Sequence, residues 1–290
     1  SLDQILIAIP SLTSNNRKRI LENLRNTNTP ILQIPSLEEI KSGKAKIIIT
    51  TNVFAHSNNM KDFISGVKNL ISKNGVFVIE NHYLLDVLKN KQFDTFYHEH
   101  LRTYSLKSLI KLLKYYGFKV VDAYCTDRYG GNIQAHFALN ESKIKSKNKN
   151  IQKILKNEVK EGLDKPETYY KFKKDIDVIG NNLKNFLVKN KKKHIVAKAF
   201  PARASVIIHY FSFIKDHISY IAEQSTSLKL GHYIPGTNIQ IIDSKQMKKN
   251  KPDILIVLAW HLFDPIHKKW LNNGLNRTKF VKPLPKLNIK

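Results

Sequence analysis

The chain reads as an α/β protein: a doubly wound, largely parallel sheet followed by a second α/β unit. Short apolar runs alternate with segments of helical spacing, at residues 5–9, 31–34, 46–51 and 75–80, the order that builds a parallel sheet. Several of these runs are continuous rather than alternating in polarity, which suits strands covered on both faces. A βα pattern then restarts at residues 194–197, after a long stretch dense in lysine and asparagine. With 290 residues the chain is long enough for two such units.

The elements follow in order. After the strand at 5–9, residues 14–26 place Ile20, Leu21 and Leu24 on one stripe of a polar-faced helix. A second strand is expected at 31–34. Ser36 and Glu39 have the spacing of a capping box at the start of another helix. Strand 46–51, helix 62–72, strand 75–80, helix 106–116 and strands 118–124 and 132–139 complete a first unit that ends near residue 140. Residues 141–193 carry spaced apolar side chains, among them Ile151, Ile154, Leu155, Ile176, Ile179 and Leu183, so a helical linker is expected. The second unit, 194–290, continues with helix 206–214 and strands 218–222, 254–259 and 280–283. No internal repeat or low-complexity block interrupts this order.

Composition narrows the function. No apolar run approaches the ~20 residues that span a bilayer, and the run at 5–9 lacks the basic leader of a signal peptide. Cys125 is the only cysteine, so an internal disulfide and a thiolate zinc site are ruled out. A cytosolic setting is expected. The net charge of +26 raises the question of nucleic acid. Arginine, the better phosphate fork, occurs only at positions 17, 19, 25, 102, 128, 203 and 277, and the lysines are scattered without the basic–aromatic interleaving of single-strand binders. The charge therefore reads as a lysine-rich composition. Neither a nucleic-acid nor a membrane partner is expected, although a positive field would help to capture a nucleotide diphosphate.

The most informative run is Phe93-Asp94-Thr95-Phe96-Tyr97-His98-Glu99-His100. Four neighbouring groups able to move protons suit acid–base chemistry better than a core. His98 and His100 also have a His-x-His spacing, but no carboxylate or cysteine lies at a supporting distance, so no metal site is expected. His209, His217, His261 and His267 read as ordinary surface or core histidines.

Around this run lie Asn52-Val53-Phe54-Ala55-His56, Gly75-Val76-Phe77-Val78-Ile79-Glu80, Tyr104-Ser105-Leu106-Lys107-Ser108-Leu109 and Tyr115-Tyr116-Gly117-Phe118. In this order they resemble S-adenosylmethionine-dependent C-methyltransferases that act on nucleotide-linked keto-deoxysugars. The resemblance covers about residues 45–139 and resumes in the last hundred. It implies the second half of a class I methyltransferase sheet, closed by a late strand pair without an intervening helix. Methylating carbon beside a ketone needs an enolate, hence a base and a group to steady the oxygen. The resemblance implies His100 as the base, with Tyr97, Glu99 and His56 around the sugar. It also places Tyr83, His98, Gly130, Gly131, Asn132 and Arg203 near the substrate, and Asn52 and Phe54 near the cofactor. In Glu80-Asn81-His82-Tyr83-Leu84 the family usually has Val-Pro where this chain has Asn81-His82. Gly130 and Gly131 could allow close backbone approach to a ligand or form a plain tight turn.

The C-terminal stretches Ser227-Leu228-Lys229-Leu230-Gly231-His232-Tyr233-Ile234-Pro235-Gly236-Thr237, Pro252-Asp253-Ile254-Leu255-Ile256-Val257-Leu258-Ala259-Trp260 and Lys279-Phe280-Val281-Lys282-Pro283-Leu284-Pro285 resemble the same family's Rossmann-like C-terminal domain. Its opening turn is here Ala197-Lys198-Ala199-Phe200-Pro201-Ala202-Arg203-Ala204, without the family's glycines. Arg203 at a helix N-terminus could meet phosphate.

The first forty residues depart from the pattern. The loop at residues 9–14 lacks the glycines that usually hold the methionine end of the cofactor, and no acidic residue follows Ile34 to grip ribose. The family's usual N-terminal zinc-binding segment has no counterpart. Residues 5–43 instead resemble a segment of nucleotide-sugar dehydratases and epimerases of polysaccharide biosynthesis, so residues 1–44 read as an atypical graft on an incomplete or modified methyltransferase-like sheet. Two functions stay open: a sugar C-methyltransferase using S-adenosylmethionine through an atypical loop, and a nucleotide-sugar-binding protein or fragment that has lost methyl transfer. A nucleotide-diphosphate sugar is the expected partner in both. A homo-oligomer and an upstream segment preceding Ser1 also stay open.

Overall fold

The computed structural model describes residues 45–290 together with the strands β1 (Ile5–Ile7) and β2 (Ile31–Gln33). These two pair in parallel, with Ile5 opposite Ile31, as expected of the apolar runs at 5–9 and 31–34. The expected helix at 14–26, the Ser36–Glu39 box and the loop at 9–14 lie outside the described residues.

Strand β3 (Ala45–Thr51) leads through a tight turn at Phe54–His56 into helix α1 (Met60–Leu70). Asn59 caps that helix by accepting from the Asp62 amide at 3.1 Å. Strand β4 (Ile71–His82) starts directly at the helix end, so residues 71 and 72 are extended rather than helical. Helix α2 (Leu84–Lys89) follows, then helix α3 (Leu106–Tyr115). Ser105 and Ser108 form a reciprocal capping box at the start of α3. Strands β5 (Phe118–Thr126) and β6 (Asn132–Leu139) finish the first unit. Its sheet runs β3-β4-β6-β5, with β3 and β4 parallel and β6 antiparallel to both neighbours. This is the expected second half of a doubly wound sheet. Phe77, Ile79, Leu109, Leu113, Phe118 and Phe137 form its core.

Residues 141–193 fold into helices α4 (Asn148–Lys160) and α5 (Pro166–Lys189). They do more than connect. Ile176, Ile179, Leu183 and Leu187 of α5 are built into the core of the second unit, whereas Ile151 of α4 belongs to that of the first.

The second unit contains β7 (Ile195–Lys198), helix α6 (Ala202–Tyr210), β8 (Ile221–Glu223), β9 (Ile241–Asp243), β10 (Ile254–Val257), helix α7 (Phe263–Asn272), β11 (Lys279–Lys282) and β12 (Asn288–Ile289). The helix expected at 206–214 starts earlier, at Ala202. Pro201 stands in the N-cap position with φ −65 and ψ 160, launching the helix without a side-chain cap. The short edge strands β9 and β12 carry too few residues to show a period. Numbered within the unit, the order β9-β8-β7-β10-β11-β12 reads 3-2-1-4-5-6, with the last strand antiparallel. This is the doubly wound dinucleotide-fold order, whose ligand crevice opens where the strand order reverses, between β7 and β10.

Candidate functional site

The proton-handling run lies between the carboxyl ends of β3 and β4 and the β7/β10 crevice. His100 is the best-defined member. Its Nδ1 is 2.9 Å from the Thr95 carbonyl and its Nε2 is 3.1 Å from the Tyr97 hydroxyl. A carbonyl can only accept, so the hydrogen-bond pattern assigns the proton to Nδ1 and leaves Nε2 as the bare nitrogen. Burial, together with His56 and Arg203, lowers the pKa of His100 below its ordinary value of 6.5, while the Thr95 carbonyl and Glu99 pull the other way. His100 is therefore neutral at pH 7. Burial raises the Tyr97 pKa, and the hydroxyl stays a donor.

His56 and His82 complete the wall. Their rings lie 4.8 Å and 5.1 Å from that of His100. The Phe54–His56 turn after β3 carries one and the last residue of β4 carries the other. Burial, reinforced by Arg203, His100, His261 and His56, brings His82 down to about 3. Tyr129 stands 6.3 Å from His82 and 6.5 Å from His261, linking them from ring to ring. His261, which the sequence suggested was an ordinary histidine, thus joins the site from the second unit, next to Trp260. Burial and Arg203 bring it down to about 4. The result is a wall of imidazoles and phenols in which His82, His100 and His261 are held neutral at pH 7, able to accept or donate single protons.

The other residues singled out in the sequence are placed differently. His98 and Glu99 point to solvent, with side chains 87% and 52% exposed. The motif turns one face inward at Tyr97 and His100 and the other outward. Tyr83 is buried, and its hydroxyl donates to Glu158 at 3.0 Å. Phe54 is wholly buried against Phe63, Phe77 and Tyr104, so its ring meets no solvent. Gly130 and Gly131 have φ of 92 and 125. A Cβ on Gly131 would come within 2.4 Å of the Asp86 side chain, so this glycine makes room for the protein's own residue. Arg203 does not face solvent as a phosphate ligand. Its Nε and Nη2 donate to the two Asp94 carboxylate oxygens at 2.6 and 2.8 Å, and Nη2 also reaches Gln92 at 3.1 Å. Asp94 lies inside the quoted motif, but only the tertiary structure shows its partner.

A second polar group adjoins the wall. Glu80, buried on β4, accepts from Asn132 at 3.1 Å, Gln134 at 3.0 Å and Arg128 at 3.3 Å. Asn132 also reaches Asn52, which holds a left-handed φ of 52 at the end of β3. Asn132 Oδ1 is buried without a partner among the described residues. An unsatisfied carboxamide oxygen beside a second carboxamide suits a ligand bearing amino or hydroxyl groups. Among the described residues no cluster of histidine, cysteine and carboxylate groups could hold a metal ion, and no helix is long and apolar enough to cross a membrane.

Comparison with known proteins adds a family. The model described as C-methyltransferase C-terminal domain matches residues 127–285, and one described as methyltransferase domain matches residues 11–123. The C-methyltransferase NovU of Streptomyces niveus is 29% identical over 259 residues, covering 87% of this chain; the chain spans 60% of the length of that protein. Among solved structures, the magnesium protoporphyrin IX methyltransferase of Synechocystis PCC 6803 is 18% identical, with a TM-score of 0.28 over 42% of this chain and 57% of its own. The N-methyltransferase NodS of Bradyrhizobium japonicum WM9 is 11% identical, with a TM-score of 0.28 over 47% and 72%.

Proposed function

Because this chain belongs to the family defined by the C-methyltransferase C-terminal domain, we propose that it methylates the carbon beside a ketone on a nucleotide-linked keto-deoxysugar, with S-adenosylmethionine as donor. The observation that carries this reading is the orientation of His100: Nδ1 tied to the Thr95 carbonyl, and a neutral Nε2 turned to Tyr97. His100 Nε2 takes the α-proton, and the electron pair of that C–H bond passes into an enolate. The Tyr97 hydroxyl, displaced from Nε2 by the incoming proton, is a donor for the enolate oxygen. His56 and His82 border the same space, and the uncharged His82 edge favours a neutral sugar ring over a charged one. S-adenosylmethionine, when bound, supplies the electrophilic methyl group. Asn52 and Asn132 are the described residues that would hold its polar groups, on the strength of the unpartnered Asn132 oxygen.

The test is exchange of the sugar α-proton with deuterated solvent, followed by NMR, which needs no methyl donor. His100→Ala is expected to lose about 10²–10⁴-fold in exchange rate while keeping substrate affinity. Tyr97→Phe is expected to fall between it and the wild type. Equal exchange with alanine at position 100 overturns the assignment.

The absence of glycine from the sequence of residues 9–14 favours a second reading, a nucleotide-sugar-binding protein without methyl transfer. Calorimetry separates the two readings. Binding of S-adenosylmethionine removes the second; binding of a nucleoside diphosphate with no response to the donor supports it.

A further inference from the structure

We infer that the contact of Asp94 with Arg203 and Trp260, made between the two units, is a positioning device for His100: it fixes the turn whose carbonyl holds the Nδ1 proton. The inference rests on the reading of His100 as the base. Thr95 belongs to the short turn Phe93–Thr95, and Asp94 at its centre is fully buried. Among the described residues every donor to the Asp94 carboxylate comes from the second unit: Arg203 Nε at 2.6 Å, Arg203 Nη2 at 2.8 Å and Trp260 Nε1 at 2.9 Å. The guanidinium lies 5.2 Å above the Trp260 ring and also holds Gln92, the residue just before the turn. The Thr95 hydroxyl closes the turn by donating to the Gln92 carbonyl at 2.9 Å. The turn bearing the Thr95 carbonyl is therefore held at Gln92 and Asp94 by groups from the other unit and closed on itself by the Thr95 hydroxyl.

Stability alone accounts poorly for this arrangement. A buried ion pair is often no more stabilising than well-packed apolar residues of the same volume. What it adds is direction, because a bidentate guanidinium admits one orientation of the carboxylate. Arg203 also acts through its charge. Its cation lowers His100, His82 and His261 together. The charged or titratable groups facing His100 are Arg203 of α6, His56 after β3, His82 of β4, and Tyr97 and Glu99 of its own segment. The second unit thereby sets both the tautomer of the base and the pH at which it becomes available. The base is competent only when the two units are docked.

The experiment uses the full chain labelled with ¹⁵N-histidine, in which imidazole nitrogen shifts distinguish the Nδ1–H from the Nε2–H tautomer. Trp260→Phe keeps a ring beneath the guanidinium and deletes one donor to Asp94. Arg203→Met removes both the fork and the cation. The wild type is expected to show His100 as the Nδ1–H tautomer. Both variants are expected to populate Nε2–H, and only Arg203→Met is expected to raise the pH midpoint of His100. α-Proton exchange should fall about 10²-fold, as for a catalytic group displaced by an ångström. If Trp260→Phe, folded by circular dichroism, leaves the tautomer and exchange unchanged, the inference is overturned, and this variant decides alone should Arg203→Met fail to fold. Wild-type protein without exchange but with the expected tautomer response would refute the base reading while leaving the positioning device standing.

Discussion

Glu158 is the residue whose replacement the structure predicts most sharply. It sits on α4, is buried, and reaches across to cap α3: its carboxylate accepts from the Leu106 amide at 2.6 Å, the Lys107 amide at 3.1 Å and the Tyr83 hydroxyl at 3.0 Å. A carboxylate at a helix N-terminus satisfies orphan amides and opposes the helix dipole. Glu158→Ala leaves two first-turn amides and a buried hydroxyl unpaired, at about 1–3 kcal/mol for a single buried group. Relief of the carboxylate's own burial and entry of water along the exposed side of α4 offset part of this. The net destabilisation is about 2–4 kcal/mol, the cost of two or three such groups less this relief. Glu158→Gln keeps an oxygen acceptor and loses the charge, for about 1–2 kcal/mol. Tyr83→Phe removes one donor and leaves the amides paired, for about 1 kcal/mol. The assay is urea unfolding followed by far-UV circular dichroism. An alanine variant within about 0.5 kcal/mol of wild type, the ordinary scatter of surface substitutions, would refute the capping account. Tyr83→Phe also separates a framework role from a ligand role. Unchanged stability with weakened nucleotide-sugar binding would mean that the hydroxyl serves the substrate instead of Glu158.

Three further outcomes are expected. The lowered pKa values of His82, about 3, and His261, about 4, lie below the 6.5 of an unfolded chain, so the unfolded state takes up protons first. Their contribution to stability is complete above about pH 6.5 and is lost as pH falls toward those values, by up to about 2 kcal/mol at pH 5 for His82 alone; His82→Gln should flatten this slope, and equal urea midpoints at pH 7 and pH 5 in the wild type would contradict it. In Gly180→Ala the new Cβ would meet the buried Phe211 ring at 2.5 Å, so overpacking of about 1–3 kcal/mol should exceed the helix-propensity gain of up to about 1 kcal/mol, and a raised melting temperature would show that α5 can move away. Nucleic acid should bind only weakly and be released by moderate salt in a gel-shift assay, because the lysines are diffuse; sequence-selective or salt-resistant binding would overturn that reading.

Much of the frame is legible in the residues alone. Strand β6 falls at residues 132–139 as expected, because a glycine pair bounds a run of strand-forming residues. Helix α3 shows a serine cap and leucines on one stripe, both local signals. That Tyr97 and His100 belong to a cluster of proton-handling groups is likewise visible in the motif, since four such groups in a row are rare in a framework. Direction is not visible there. The same eight residues turn Glu99 and His98 outward and Asp94 inward, and this depends on which groups of the second unit arrive to meet them. Arg203 shows the limit most clearly. At a helix N-terminus it reads as a phosphate ligand, yet Asp94, more than a hundred residues earlier, takes its fork. His261 reads as an ordinary histidine and is brought beside the site because β10 ends at the crevice where the strand order reverses. Sequence periodicity records which face of an element is apolar, a property of neighbours three or four residues apart. The partner of a buried charge and the company of a histidine are set by contacts across the fold, and only the packed chain decides those.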